Sequence, residues 1–260
     1  MTVVPELKDQ VAIVTGGGTG IGLAIATEMA RAGADVVVCS RSMERLQSTV
    51  QQAIAELGRR CLAVPVDVRK PEDVDNLVQK TMEEFGRIDI LVNNAGASFY
   101  RPAEEISPNG WDAVIGINLK GTFLCCRAVG KVMIKQKRGN IINISSLAGH
   151  LGSPLEAHYG AAKAGVINLT KTLSLEWAKH NIRVNCIAPG PVATEGFLEE
   201  LKKRGFAEPP KSPHAIRRWG QPVEIAKVAV FLASEASSLI VGETICVSGG
   251  PISPEAIGWQ

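Results

Sequence analysis

Val11-Ala12-Ile13-Val14-Thr15-Gly16-Gly17-Gly18-Thr19-Gly20-Ile21-Gly22 is the stretch on which the fold turns. Its first five residues are apolar or β-branched without alternation, as in a strand covered on both faces. The glycines then give a tight turn with no Cβ in the way of a close approach, and Ile21 to Arg31 reads as a helix. A helix N-terminus offers free N–H groups and the positive end of its dipole, a ready seat for phosphate. The spacing is Gly16-x3-Gly20-x-Gly22 rather than the commoner Gly-x-Gly-x2-Gly. In a strand–loop–helix setting it predicts that Gly16, Gly18, Thr19, Gly20, Ile21 and Gly22 line the pyrophosphate of a dinucleotide.

Outward from this stretch the alternation repeats. Strands are predicted at 35–40, 61–66, 88–92, 140–145, 183–187 and 244–247, and helices at 42–57 (with Ser42 as N-cap), 71–85, within 111–136, at 158–179 and at 222–233. Apolar strands separated by helices belong to a parallel sheet covered on both sides, and right-handed crossovers make it a doubly wound α/β fold. No linker or repeat interrupts it, so residues 1–260 read as a single domain.

Composition agrees. The 260 residues are 45% hydrophobic and 21% charged with a net charge of +2, which excludes disorder and offers no basic field for nucleic acid. No uninterrupted apolar run reaches spanning length, Met1 to Glu6 has no signal-peptide character, and Gly258-Trp259-Gln260 is no peroxisomal address. The 6 cysteines show no Cys-x-x-Cys spacing and mostly sit in apolar runs, as reduced thiols do. A cytoplasmic protein without a metal site is expected; His150, His158 and His214 have no ligand-like spacing.

The end of the second strand bears on the cofactor. An acidic residue there would bind ribose hydroxyls and repel a 2′-phosphate, but the chain reads Cys39-Ser40-Arg41-Ser42. Arg41 can fork onto a phosphate and Ser40 adds a donor, so NADP is favoured over NAD, although Glu44 lies a turn further on. Tyr159-Gly160-Ala161-Ala162-Lys163 puts a phenol and an ammonium at i and i+4 on one helix face. A nearby cation stabilises phenolate, so a depressed Tyr159 pKa is expected. Ser146 closes a strand upstream, at the sheet edge where open α/β folds bind ligands.

From about Leu7 to Gly250 the chain resembles the short-chain dehydrogenases/reductases. The resemblance rests on the Gly16/Gly20/Gly22 loop, Asp67-Val68, Asn93-Asn94-Ala95-Gly96, Asn118, Ser146, Tyr159-x3-Lys163 and Pro189-Gly190-x-Val192-x-Thr194. It implies a Rossmann-type fold and an oxidoreductase in which Tyr159 is the general acid/base. Lys163 would then hold the nicotinamide ribose, Ser146 orient the substrate oxygen and Asn118 hold a relay water. The resemblance also implies that Asp67 meets the adenine, Asn94 the cofactor-side loop, and Val192 and Thr194 the carboxamide. A homotetramer packed through residues 121–136, 158–179 and the last strand is implied in the same way.

The segments Ser107-x2-Gly110-Trp111 and Ala164 to Lys171 resemble the enoyl-CoA and 2,4-dienoyl-CoA reductase branch. The intact Tyr159-x3-Lys163 favours reduction of a ketone or 3-oxoacyl thioester instead. A non-catalytic NADP-binding sensor is a further alternative. Ser248-Gly249-Gly250 departs from the family's more frequent Asp-Gly-Gly. Finally, 191–218 breaks the rhythm with Pro209-Pro210 and the cations Lys202, Lys203, Arg204, Lys211, Arg217 and Arg218. It is expected to be a substrate lid, with those cations facing a phosphorylated thioester carrier.

Overall fold

Strand β1 (Val11–Thr15) is buried throughout and divides its side chains between two cores, Ala12 and Val14 on one side and Val11 and Ile13 on the other. The same alternation runs through its neighbours: Val36 and Val38 join the first core, Val37 and Cys39 the second. A strand with both faces dry needs helices on both faces, and a parallel sheet supplies them through its crossovers. The computed structural model describes residues 6–46, 52–203, 205, 206, 212 and 214–251.

Seven parallel strands follow the order β3-β2-β1-β4-β5-β6-β7. Besides β1 they are β2 (Asp35–Ser40), β3 (Cys61–Pro65), β4 (Ile90–Asn93), β5 (Gly139–Ile144), β6 (Ile182–Pro189) and β7 (Thr244–Val247). Helices α1 (Gly20–Arg31) and α9 (Pro222–Ala233) pack on each other over one face. Helices α4 (Pro71–Phe85), α6 (Gly121–Gln136) and α7 (Ala157–Trp177) contribute to the core on the other. Strand order reverses between β1 and β4, whose register pairs Val14 with Val92. The loops leaving Thr15 and Asn93 therefore open side by side at the carboxyl edge of the sheet, where such folds bind ligands.

Several boundaries move. The strand expected at 88–92 is Ile90–Asn93, and the one expected at 183–187 extends to Pro189 through its ladder with β7. The helix expected at 42–57 is described as α2 (Met43–Arg45) and α3 (Gln52–Ala55), with 47–51 outside the described residues. Ser42 does stand at the N-cap of α2, but its side chain makes no capping bond.

The helical run within 111–136 begins earlier, as α5 (Pro108–Ile115), because the Ser107 Oγ accepts from the Gly110 N–H at 3.1 Å and caps it. A π turn, Gly116–Lys120, then joins α5 to α6. By length and composition Pro108–Gln136 could cross a membrane, but 56% of its most apolar window is buried in this fold. In the region read as irregular the structure contains a helix, α8 (Glu195–Lys203), while 204, 207–211 and 213 lie outside the described residues.

Candidate active site

The glycine loop is built by close approach. Gly16 and Gly20 have φ of 64° and 54°, a left-handed backbone that strains any residue with a Cβ. Gly22 is constrained by space instead: a Cβ there would lie 2.2 Å from the Gly16 carbonyl oxygen and 2.5 Å from Asn94 Nδ2. Asn94 braces the loop, its Nδ2 donating to the carbonyls of Thr15 (3.1 Å) and Gly16 (3.2 Å). The backbone N–H groups of Asn94 and Ala95 both donate to Thr15 Oγ1 at 3.0 Å. Thr19 occupies the N-cap of α1 without a side-chain capping bond, so the first turn keeps donors for an anion. Gly18 is buried beneath the loop, and Ile21 packs on the first core.

At the end of β2, Ser40 Oγ donates to the Ser42 carbonyl at 3.0 Å and Arg41 is exposed. After β3, Asp67 is gripped by Arg69, whose Nε and Nη2 donate to the carboxylate at 2.8 and 2.5 Å. These hydrogen bonds, with a smaller contribution from the nearby Arg41, hold the Asp67 carboxyl down at about 2. Arg69 is a residue the sequence reading missed; its only signal was its position two residues past Asp67. Val68 is buried against Gly121 at the start of α6.

Ser146 follows β5 and caps a 3-10 turn, Leu147–Gly149, its Oγ accepting from the Ala148 N–H at 3.2 Å. That turn packs tightly on α7: a Cβ on Gly149 would lie 2.8 Å from the Lys163 backbone, and one on Gly160 3.1 Å from the Ala148 carbonyl oxygen. The contact brings the Ser146 hydroxyl near enough to the phenol to favour its ionised form. Lys163 Nζ lies 5.4 Å from the Tyr159 ring centroid and donates to the Ile144 carbonyl at 2.9 Å.

Asn118 enters through the π turn. Its Nδ2 donates to Ala97 O (2.7 Å) and Val114 O (2.9 Å), while its buried Oδ1 has no partner among the described residues. A Cβ on Gly96 would meet that Oδ1 at 2.6 Å and Lys163 Nζ at 3.5 Å. Gly96, Asn118 and Lys163 thus converge beside the phenol.

The expected depression of the Tyr159 pKa is not met. Burial pushes the phenol up to about 12 despite the opposing effect of the Ser146 hydroxyl, with Glu156 adding to the rise. Burial also brings Lys163 down to about 8. The ammonium acts on the ring from a distance and spends a donor on Ile144, so desolvation dominates both groups. A phenol in this state is fully protonated at neutral pH and able to give a proton.

On the far side, Pro189 ends β6 and Gly190 passes so close to β7's exit that a Cβ would sit 2.7 Å from Ser248 Cα. Val192 bridges to Gly220, and Thr194 lies over Gly20, its Cγ2 3.3 Å from where a Cβ would be. The phosphate loop and the segment after β6 therefore face one another.

Of the cations in 191–218, Lys202 and Lys203 are exposed on α8, whereas Arg218 forks onto Glu224 at 2.8 and 2.6 Å and is engaged there. Arg204 and Lys211 lie outside the described residues. A cavity of about 750 Å³ opens one residue past Ser146, lined by Leu147, Leu151, Ile216, Val247 and the 248–251 turn among others.

A family model described as Enoyl-(Acyl carrier protein) reductase matches residues 16–251, spanning all of these groups. The chain belongs to the short-chain dehydrogenase/reductase family. It is 44% identical to a 3-oxoacyl-[acyl-carrier-protein] reductase of Synechocystis sp., over 95% of this chain and 98% of that protein. It is 40% identical to a peroxisomal 2,4-dienoyl-CoA reductase of Danio rerio, over 94% of this chain and 82% of that one. A crystal structure of a short-chain type dehydrogenase/reductase from Mycobacterium marinum superposes with a TM-score of 0.88 at 34% identity, covering 95% and 96% of the two chains. Short-chain dehydrogenases/reductases are oxidoreductases using a nicotinamide cofactor, and this chain is one of them.

Proposed function

We propose that this protein is an NADPH-dependent carbonyl reductase acting on a 3-oxoacyl thioester or a related ketone. The observation that carries the reading is the Ser146–Tyr159 hydroxyl pair beside Lys163 at the carboxyl edge of the sheet. The nicotinamide, when bound, supplies the hydride. Gly16, Gly18, Thr19, Gly20, Ile21 and Gly22 would seat the pyrophosphate. Asp67 and Val68 would lie at the adenine, Asn94, Ala95 and Gly96 would form the cofactor-side loop, and Val192 and Thr194, led in by Pro189 and Gly190, would meet the carboxamide.

Ser146 would hold the substrate oxygen by a hydrogen bond, and Tyr159 would pass its proton to that oxygen as the C–O bond becomes an alcohol. Lys163 would exchange its bond to Ile144 for the ribose hydroxyls, and its ammonium would balance the negative charge left on the phenolate. Asn118 Oδ1, buried and unpartnered among the described residues, would accept from a relay water. The direct test is NADPH oxidation followed by absorbance with a panel of ketones, 3-oxoacyl thioesters and enoyl thioesters. Turnover of the enoyl thioesters alone would replace this reading with C=C reduction, the activity in the name of the Danio rerio relative. No turnover of any substrate, with NADPH bound, would move a sensor role ahead.

NADPH preference is assigned to Arg41 and Ser40, with no carboxylate at positions 39–41. NADPH should bind at least about tenfold tighter than NADH, roughly 1.4 kcal/mol. Arg41→Ala should remove most of that gap and leave NADH binding nearly unchanged. Titration of both cofactors by fluorescence checks this, and equal wild-type affinities would overturn it.

The thioester class draws support from the cavity past Ser146, which is of a size to hold an acyl chain. Leu151→Trp should raise KM for a long-chain 3-oxoacyl substrate by roughly fivefold, about the burial of one or two methylenes. A short-chain substrate should be unaffected; an equal response from both chain lengths would remove the cavity from the substrate path. We also propose that residues 191–218 cover the bound substrate, that the protein is a cytoplasmic homotetramer, and that exposed Phe123 and Leu175 on α6 and α7 lie in its interface.

A further inference from the structure

The residue before Tyr159 has no part in the chemistry above, yet its imidazole is completely buried: His158 is 0% exposed. Its Nδ1 accepts a hydrogen bond from the Tyr159 backbone N–H at 2.9 Å. An accepting Nδ1 carries no proton, so in the neutral ring the proton sits on Nε2. Nε2 is buried with no hydrogen-bond partner among the described residues. That is a cost leucine would not incur, so filling space does not account for histidine here.

What histidine supplies is the acceptor. Helix α7 begins at Ala157, and the Tyr159 N–H is one of its first-turn donors without an intrahelical acceptor. Glu156, at the N-cap, makes no side-chain capping bond; its carboxylate instead accepts from Ser98 Oγ (3.1 Å) and Ser153 Oγ (2.8 Å).

The imidazole is in turn clamped. The Phe99 ring stands edge-on to it, with centroids 4.3 Å apart and planes at 89°. Phe99 is backed by α5, where a Cβ on Gly110 would lie 3.0 Å from its ring. Next along, the Arg101 N–H donates to the Leu155 carbonyl at 2.9 Å, and upstream the Ala97 carbonyl accepts from Asn118 Nδ2. The chain leaving β4 through Asn94-Ala95-Gly96 is thus stitched to the residues just before Tyr159.

We propose that His158 is a positioning residue for Tyr159. Through Nδ1 it fixes the first turn of α7, and through Phe99 it ties that turn to the cofactor-side loop, so that the phenol stays against Ser146. The proposal rests on Tyr159 being the proton donor.

The test compares His158→Leu, His158→Asn and Tyr159→Phe in the full-length chain, measuring kcat, KM for the carbonyl substrate, NADPH affinity and Tm. His158→Leu should lower kcat at least about tenfold with NADPH affinity kept within about threefold, a positioning loss rather than a binding loss. His158→Asn, whose Oδ1 can accept the same N–H, should recover kcat to within about threefold of wild type. A wild-type kcat in His158→Leu, or an equally low one in His158→Asn, overturns the proposal.

If His158→Leu does not fold, Phe99→Leu replaces it. That variant loosens the clamp without removing the acceptor, and should lower kcat severalfold at unchanged NADPH affinity; a wild-type kcat overturns the proposal. An inactive Tyr159→Phe beside fully active His158 variants defeats the positioning role alone. A fully active Tyr159→Phe defeats the proton-donor reading on which it stands.

Discussion

Tyr159→Phe is expected to lower kcat by about 10² to 10⁴ while NADPH still binds. The ring stays, so the packing of α7 against the 3-10 turn is kept, and only the hydroxyl near Ser146 is lost. Burial holds that phenol at about 12 in the ligand-free protein, which makes it a reservoir for the proton the substrate oxygen needs. Ser146 cannot substitute, because an alcohol is a far weaker proton donor at neutral pH. Steady-state kinetics with a ketone, beside a fluorescence titration of NADPH, separates the two effects. Activity close to wild type would transfer the protonation step to another group and bring the enoyl-reductase reading forward.

Gly22→Ala is expected to cost the protein both stability and cofactor. The added Cβ would lie 2.2 Å from a backbone oxygen of Gly16, and backbone in a braced loop cannot swing aside as a long side chain could. Overpacking of this kind costs about 1–3 kcal/mol. The shift would also break the Asn94 bonds to Thr15 and Gly16 that shape the phosphate seat. NADPH affinity should fall by about tenfold to a hundredfold, roughly 1.4–2.7 kcal/mol. Gly152→Ala is the control, since a Cβ there meets nothing within 4 Å. Thermal unfolding with and without NADPH reads both effects, and wild-type cofactor affinity in Gly22→Ala would remove the loop from the pyrophosphate site.

Much of this was legible along the chain. Unbroken apolar runs such as 11–14 and 36–39 require a sheet dry on both faces, and the sheet is parallel with helices on either side. The glycine spacing predicted the backbone geometry of Gly16 and Gly20, and the i, i+4 pattern put Tyr159 and Lys163 on one face of α7. The helix α8 escaped because its residues were read with the prolines that follow it. The earlier start of α5 was signalled by Ser107-Pro108, an N-cap followed by a proline at the first helical position, and was overlooked.

The order of strands and helices, the faces that turn inward and the residue types gathered at one sheet edge can therefore all be read along the chain. All of these follow from periodicity and local backbone preference, which act over a few residues. The packed fold sets which partner each polar group takes. Arg218 goes to Glu224, Asp67 to Arg69, Lys163 to the Ile144 carbonyl, and the Tyr159 N–H to His158. It also decided that desolvation outweighs the lysine at Tyr159, where charge and motif pointed the other way. Burial and hydrogen-bond partnership depend on neighbours brought together by sheet register and helix packing, and a linear pattern carries no measure of how much water those neighbours exclude.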